Sequence, residues 1–312
     1  PIKSSAASDV YKRQILSSST VMSSFALEEA YYGDNEKVFI ESLDKNLDTY
    51  SKVKAIANYV SNIDDANKNC QVAAGYMYTL CEAAGIKCSI RTRARNDTIA
   101  AQDHVNNVVD IDGTPYIVDA NFAKGKPLFY SAVNYPYYCS NSEHKSRGFS
   151  DGKFVYHVLD DGTLTICECL MWDYSNVVFP TEATNPKTGE TIKVTAVNNI
   201  EFVDSNAVRS VTIPDEIVTL RERAFYNLKS LEKVTLGAGI TALPEDCFYG
   251  CEKLTTINLD NITSYGTSCL RYSGINSLKL NNNTSFSNAA FIYTTNLTNV
   301  TPVSYTHLRA HE

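Results

Sequence analysis

Between residues 48 and 84 the apolar positions recur at helical spacing. Val53, Ile56, Ala57, Val60 and Ile63 form one stripe, which predicts an amphipathic helix over 48–63. A polar loop, Asp64 to Asn69, leads to a second stripe of Cys70, Ala73, Ala74, Met77, Leu80, Cys81 and Ala84. Gly85 then fits the left-handed residue that commonly ends a helix. From Lys87 to Arg95 the period drops to two. Cys88, Ile90, Thr92 and Ala94 oppose Lys87, Ser89, Arg91, Arg93 and Arg95, which predicts a strand with one basic, solvated edge or face. Val105, Val109 and Ile111 also alternate with polar residues, and Asp112-Gly113 is a hairpin signal.

The hairpin lets candidate chemistry be placed by register. If Asp112 and Gly113 form a two-residue loop, Ile111 pairs with Thr114 and Asn106 faces Asp119. His104 then lies on the face of Asn106, two residues away, and diagonal neighbours of this kind are roughly 7–8 Å apart at the backbone. Asp119 would orient His104 through one ring nitrogen, leaving the other for the Cys70 sulfur. That is a nucleophile, a base and its orienter. A thiol at a helix N-terminus also sits near unpaired N–H groups and the positive end of the helix dipole, which favour the thiolate. Cys81 and Cys88, by contrast, read as small buried hydrophobes.

This stretch, over roughly residues 48–123, resembles the transglutaminase-like superfamily of papain-fold cysteine enzymes. The matching residues are Cys70 with Ala74, Leu80 and Gly85-Ile86, then His104, then Ile111-Asp112-Gly113, Tyr116 and Val118-Asp119. The chain has Asn69 where the family usually has glycine before the nucleophile, and Val105-Asn106 where an Ala-Trp pair is common. The resemblance implies a catalytic triad of Cys70 (nucleophile), His104 (general acid and base) and Asp119 (orienter). It implies attack on protein or peptide amides through an acyl-enzyme, with hydrolysis favoured over cross-linking and no cofactor or metal. Tyr130, Tyr135, Tyr137 and Asn106 are the candidates for lining a substrate cleft. His144 and His157 read as surface residues.

Past residue 160 a longer period takes over. Phe202, Phe225 and Phe248 are 23 residues apart, as are Val208, Leu231 and Leu254, and Ile213, Leu236 and Leu259. The step then shortens, at Leu270, Ile275 and Leu280, and another unit opens with Phe291 and Leu297. Several fixed apolar positions per unit predict a solenoid, each unit burying its face against its neighbours. The units SVTIPDEIVTLRERAFYNLKSLEKVTL and ITALPEDCFYGCEKLTTINL resemble BspA-like leucine-rich repeats of bacterial and protist surface proteins. Cys247 and Cys251 fall at a packing corner of that pattern.

The expected architecture is therefore an α+β papain/transglutaminase-like domain over 15–158, followed by a leucine-rich-repeat solenoid over 159–301. The solenoid would carry short strands with helical or irregular connections. Residues 1–14 and 302–312 have neither periodicity nor capping logic and resemble translated sequencing-adapter sequence, so they are set apart from the fold and the true termini are expected to be missing.

Composition narrows the partners. A 312-residue chain that is 44% hydrophobic can bury sizeable cores in about two domains. A net charge of −7 argues against general nucleic-acid binding. No apolar run approaches the ~18 residues of a membrane span. Nine cysteines without a C-x-x-C unit indicate neither a zinc site nor a complete disulfide set. Two functions compete. One is a cysteine enzyme acting on a protein or peptide and targeted by its repeats. The other is a surface adhesin or protein-binding module with an idle transglutaminase-like domain. By resemblance, both place the protein outside the cell or on its surface.

Overall fold

The structure is a computed structural model, and it describes residues 32–64, 68–91, 105–135, 148–280 and 284–301. The chain divides into two compact units, Pro1–Ser142 and Glu143–Glu312.

The first unit packs helices on an antiparallel sheet. Its helices are α1 (Asp34–Ser42), α2 (Thr49–Asn62) and α3 (Cys70–Ala83). Val53, Ile56, Ala57 and Val60 of α2 are fully buried, as the periodicity predicts. Asn69 caps α3, its side chain accepting from Val72 N at 3.0 Å. At the other end Ile86 N donates to Cys81 O at 2.8 Å and Gly85 N to Glu82 O at 2.9 Å. This double bond pattern is the Schellman stop. Burial on α3 exceeds the predicted stripe, because Gly75, Tyr76 and Thr79 are also buried. The helix is central to its unit rather than one-faced.

Four strands, β1 (Cys88–Arg91), β2 (Asn106–Ile111), β3 (Thr114–Asp119) and β4 (Leu128–Ser131), pair in that order, all antiparallel. Asp112 and Gly113 both take positive φ (52° and 83°), the primed turn that matches strand twist. Gly113 tolerates that backbone at no steric cost. Ile111 therefore pairs with Thr114, the register expected from sequence. Cys88, Val109, Ile111 and Val118 share the sheet face that joins the core with α2 and α3.

The second unit is a solenoid of short parallel strands. One column is β8 (Asn176–Val178), β11 (Ser210–Thr212), β13 (Lys233–Thr235) and β15 (Thr256–Ile257), continued at the same repeat position by the pair β17 (Ser277–Lys279) and β19 (Asn299–Thr301). A second column is β14 (Ala242–Leu243), β16 (Ser264–Tyr265) and β18 (Ser285–Phe286). Among the described residues of this unit the connections are turns, with no helix. Phe202, Val208, Ile213, Phe225, Leu231, Leu236, Phe248, Leu254 and Leu259 are all buried in one continuous core. Gly237 marks how tightly the units stack: a Cβ there would meet Pro214 O at 2.4 Å, so only glycine lets the neighbouring backbone approach.

The core of the second unit also takes in strands that precede residue 159. Strand β5 (Phe149–Ser150) pairs antiparallel with β6 (Phe154–Val158), β6 pairs antiparallel with β7 (Leu164–Cys169), and β7 pairs in parallel with β10 (Thr191–Phe202). Phe149, Phe154 and Tyr156 belong to the solenoid core. These strands precede the first recognisable repeat, so the 23-residue period carried no sign of them. Strand β10 also pairs with β9 (Glu182–Thr184) and β12 (Thr219–Leu220).

Candidate functional site

Cys70 is the first residue of α3 and is partly exposed. The Asn69 cap bond to Val72 N settles where the helix starts, and with it the position of this thiol. His104 and Tyr137 lie outside the described residues, as do 1–14, 302–312 and His144.

The register of β2 and β3 brings Asn106 level with Asp119. Both are buried, at 1% and 4% exposure. Asp119 Oδ1 accepts from Asn121 N at 3.0 Å. Asn107 points the other way: its Nδ2 donates to Ala74 O of α3 at 3.0 Å. Strand alternation therefore puts Asn106 and Asp119 on the sheet face turned away from α3. Asn106 Nδ2 reaches Tyr135 Oη at 3.5 Å, and its buried Oδ1 has no hydrogen-bond partner among the described residues. Tyr130 is exposed and packs edge-on to Tyr135, with ring centroids 6.3 Å apart.

Arg91 corrects the expectation of a solvated basic face. It pairs with Asn106 across β1 and β2, is only 2% exposed, and holds its guanidinium 5.5 Å from the Tyr135 ring centroid. Arg91, Asn106 and Asp119 thus form a row of cation, amide and carboxylate across three strands. The alternation that located the strand could not say which face was covered.

His157 is the second correction. It is 4% exposed, on β6, with Nδ1 at 3.4 Å from Cys167 Sγ. The reading of His157 as a surface residue missed this, because burial follows from the pairing of β6 with β7. Cys81 and Cys88 are buried thiols, as expected, and burial pushes Cys88 well up from the ordinary thiol value. Cys247 and Cys251 are buried in the solenoid core, and Cys251 Sγ donates to Phe225 O at 3.1 Å.

The second unit is a leucine-rich-repeat solenoid in its strand columns, its apolar period and its continuous core. Residues 191–308 match the BspA type Leucine rich repeat region, in six copies. No curated protein matches the chain. Among solved structures, a leucine-rich repeat protein from Bacteroides ovatus is similar over 49% of this chain and 40% of its own, at 18% identity and a TM-score of 0.45. A leucine rich cell surface protein from Faecalibacterium prausnitzii is similar over 50% and 54%, at 17% identity and a TM-score of 0.30. The T. pallidum Leucine Rich Repeat protein is similar over 48% and 69%, at 18% identity and a TM-score of 0.40. The chain thus spans about half, or less, of the first two.

Proposed function

We propose that this protein is a binding module of the cell surface or extracellular space, whose repeats present an extended face to a protein partner. The observation that carries this is the match of six BspA-type repeats over residues 191–308, on a solenoid with a continuous core. Stacked repeats hold successive side chains in columns and supply a large rigid surface without chemistry of their own. The test is proximity labelling on intact cells that produce the full chain. One labelled surface protein, lost when three exposed repeat residues are changed together, supports the reading. Labelling indifferent to such changes overturns it.

A second reading is favoured by the start of α3 at the partly exposed Cys70. In it, the Cys70 thiolate attacks an amide carbonyl and His104, oriented by Asp119, gives its proton to the leaving amine. The acyl group leaves Cys70 to water, or to a second amine. A peptidase or amidase results with water. The check is the rate of iodoacetamide alkylation at Cys70 against pH, together with turnover of a peptide amide. Alkylation already fast below pH 7, and turnover lost in Cys70→Ser and Asp119→Ala, support it. A thiol inert until about pH 8.5, the unperturbed value, leaves the binding module alone.

A further inference from the structure

Consecutive residues of the repeats are sorted to opposite sides. Phe225 and Phe248 are fully buried, and their rings stack at 5.2 Å. The next residues, Tyr226 and Tyr249, form a second stack outside it, with centroids 5.0 Å apart and planes at 10°. The outer column runs on to Tyr272, edge-on at 5.5 Å, and to Tyr293, stacked at 4.7 Å and 8°. Tyr226, Tyr272 and Tyr293 are 42%, 38% and 57% exposed, so this column faces solvent. Its spacing is held by the backbone. Asn227 N donates to Tyr249 O at 2.7 Å, Gly250 N to Arg271 O at 2.9 Å, and Tyr272 N to Ile292 O at 3.2 Å. The side chains are therefore preorganised, which lowers the ordering cost of binding.

Two arginines flank the column and differ in one respect. Arg223 lies 5.5 Å from the Tyr226 ring and is paired with Asp246 at 3.1 Å. Arg271 lies 5.8, 5.1 and 5.3 Å from the rings of Tyr249, Tyr272 and Tyr293, and its Nε has no hydrogen-bond partner among the described residues. A guanidinium held by three aromatic rings, with no carboxylate partner among the described residues, is placed for an external anion.

We propose that this tyrosine column, with Arg271, binds a β-linked polysaccharide that carries carboxylates. The reading goes beyond protein binding by the repeats. Because Tyr226 stacks on Tyr249 and Tyr272 on Tyr293, these rings offer outward their edges and phenol hydroxyls, groups that hydrogen-bond sugar hydroxyls. Ring edges carry the positive side of the aromatic quadrupole, which adds to the guanidinium. Spacing selects a glycan over a peptide. Side chains on one face of an extended peptide recur every ~6.7 Å, out of step with rings 4.7 to 5.5 Å apart. One pyranose unit of an equatorially linked chain advances by about the ring spacing. The carboxylate meets Arg271.

The test is affinity electrophoresis of the full chain in gels containing polymannuronate, neutral hydroxyethylcellulose or poly-L-glutamate. A chain of net charge −7 has no general attraction to a polyanion, so retardation reports a local site. Polymannuronate should retard the wild type far more than the other two polymers. Arg271→Gln, which leaves the rings in place, should weaken retardation about tenfold, the scale of a lost cation contact of ~1.4 kcal/mol. Tyr249→Ala with Tyr272→Ala should abolish it at an unchanged melting temperature, whereas Lys229→Gln should leave it intact. No retardation by polymannuronate overturns the proposal. So does equal retardation by poly-L-glutamate, which makes the partner an acidic polypeptide, and so does an Arg271→Gln variant that binds like wild type.

Discussion

The two units solve the problem of burying apolar surface in opposite ways. In the first, α3 is enclosed by α2 and a four-stranded sheet, and the core is drawn from segments scattered between Val53 and Ala120. Polar residues of interest come together there through strand register, as Arg91, Asn106 and Asp119 do. In the second, each repeat meets equivalent positions of its neighbours, so a residue type at one position becomes a column, as with the Phe225–Phe248 stack and the tyrosines outside it. A closed core makes one constellation of unlike groups, suited to chemistry. A solenoid makes a row of like groups, suited to binding a repeating or extended partner.

The comparison can be broken by pH, and this is the largest effect expected. Burial pushes Cys169, Cys251 and Cys269 up to about 12 each, well above the ordinary thiol value. The folded pKa lies above the unfolded one, so these thiols contribute fully below pH 9 and the contribution is lost as pH rises toward 12. At full ionisation each loss is on the order of 4 kcal/mol. The urea midpoint of the solenoid should therefore fall steeply between pH 9 and 12. The single tryptophan, Trp172, lies in this unit and reports it by fluorescence. A midpoint that stays flat over this range would show that the thiols are hydrated.

A smaller and more local break is Phe225→Ala. Removing a ring stacked on Phe248 and 6.1 Å from Phe179 should cost about 3–5 kcal/mol. The Trp172 transition should move to lower urea while the alkylation rate of Cys70 stays as in the wild type. Equal loss of both would mean that the units unfold together.

The smallest effect tests the first unit. Asn69→Ala removes the cap bond to Val72 N and should cost about 1 kcal/mol. Asn69→Ser and Asn69→Asp should restore most of it. Hydrogen exchange at the first turn of α3 should rise in the alanine variant, with Trp172 unchanged.

What the sequence determined by itself was local or periodic. The helix over 48–63, the start of α3 at Cys70 and its stop at Gly85 follow from apolar spacing and caps within a few residues. The Asp112-Gly113 turn determined the pairing of Ile111 with Thr114, and thereby brought Asn106 level with Asp119, because a two-residue loop allows one register. The 23-residue period determined the solenoid core for the same reason: equivalent positions must stack. The tertiary structure decided which polar faces are covered. Arg91 lies in an alternating segment expected to have a solvated face and His157 reads as a surface residue, yet both are buried, since the residue pattern does not say what lies against each face of a strand. It also decided that β5 and β6 join the core of the second unit, through the pairing of β5 with β6 and of β6 with β7 that no residue pattern announces. And it turned tyrosines one repeat apart into a single outward column, because neighbouring backbones stack turn upon turn about 5 Å apart.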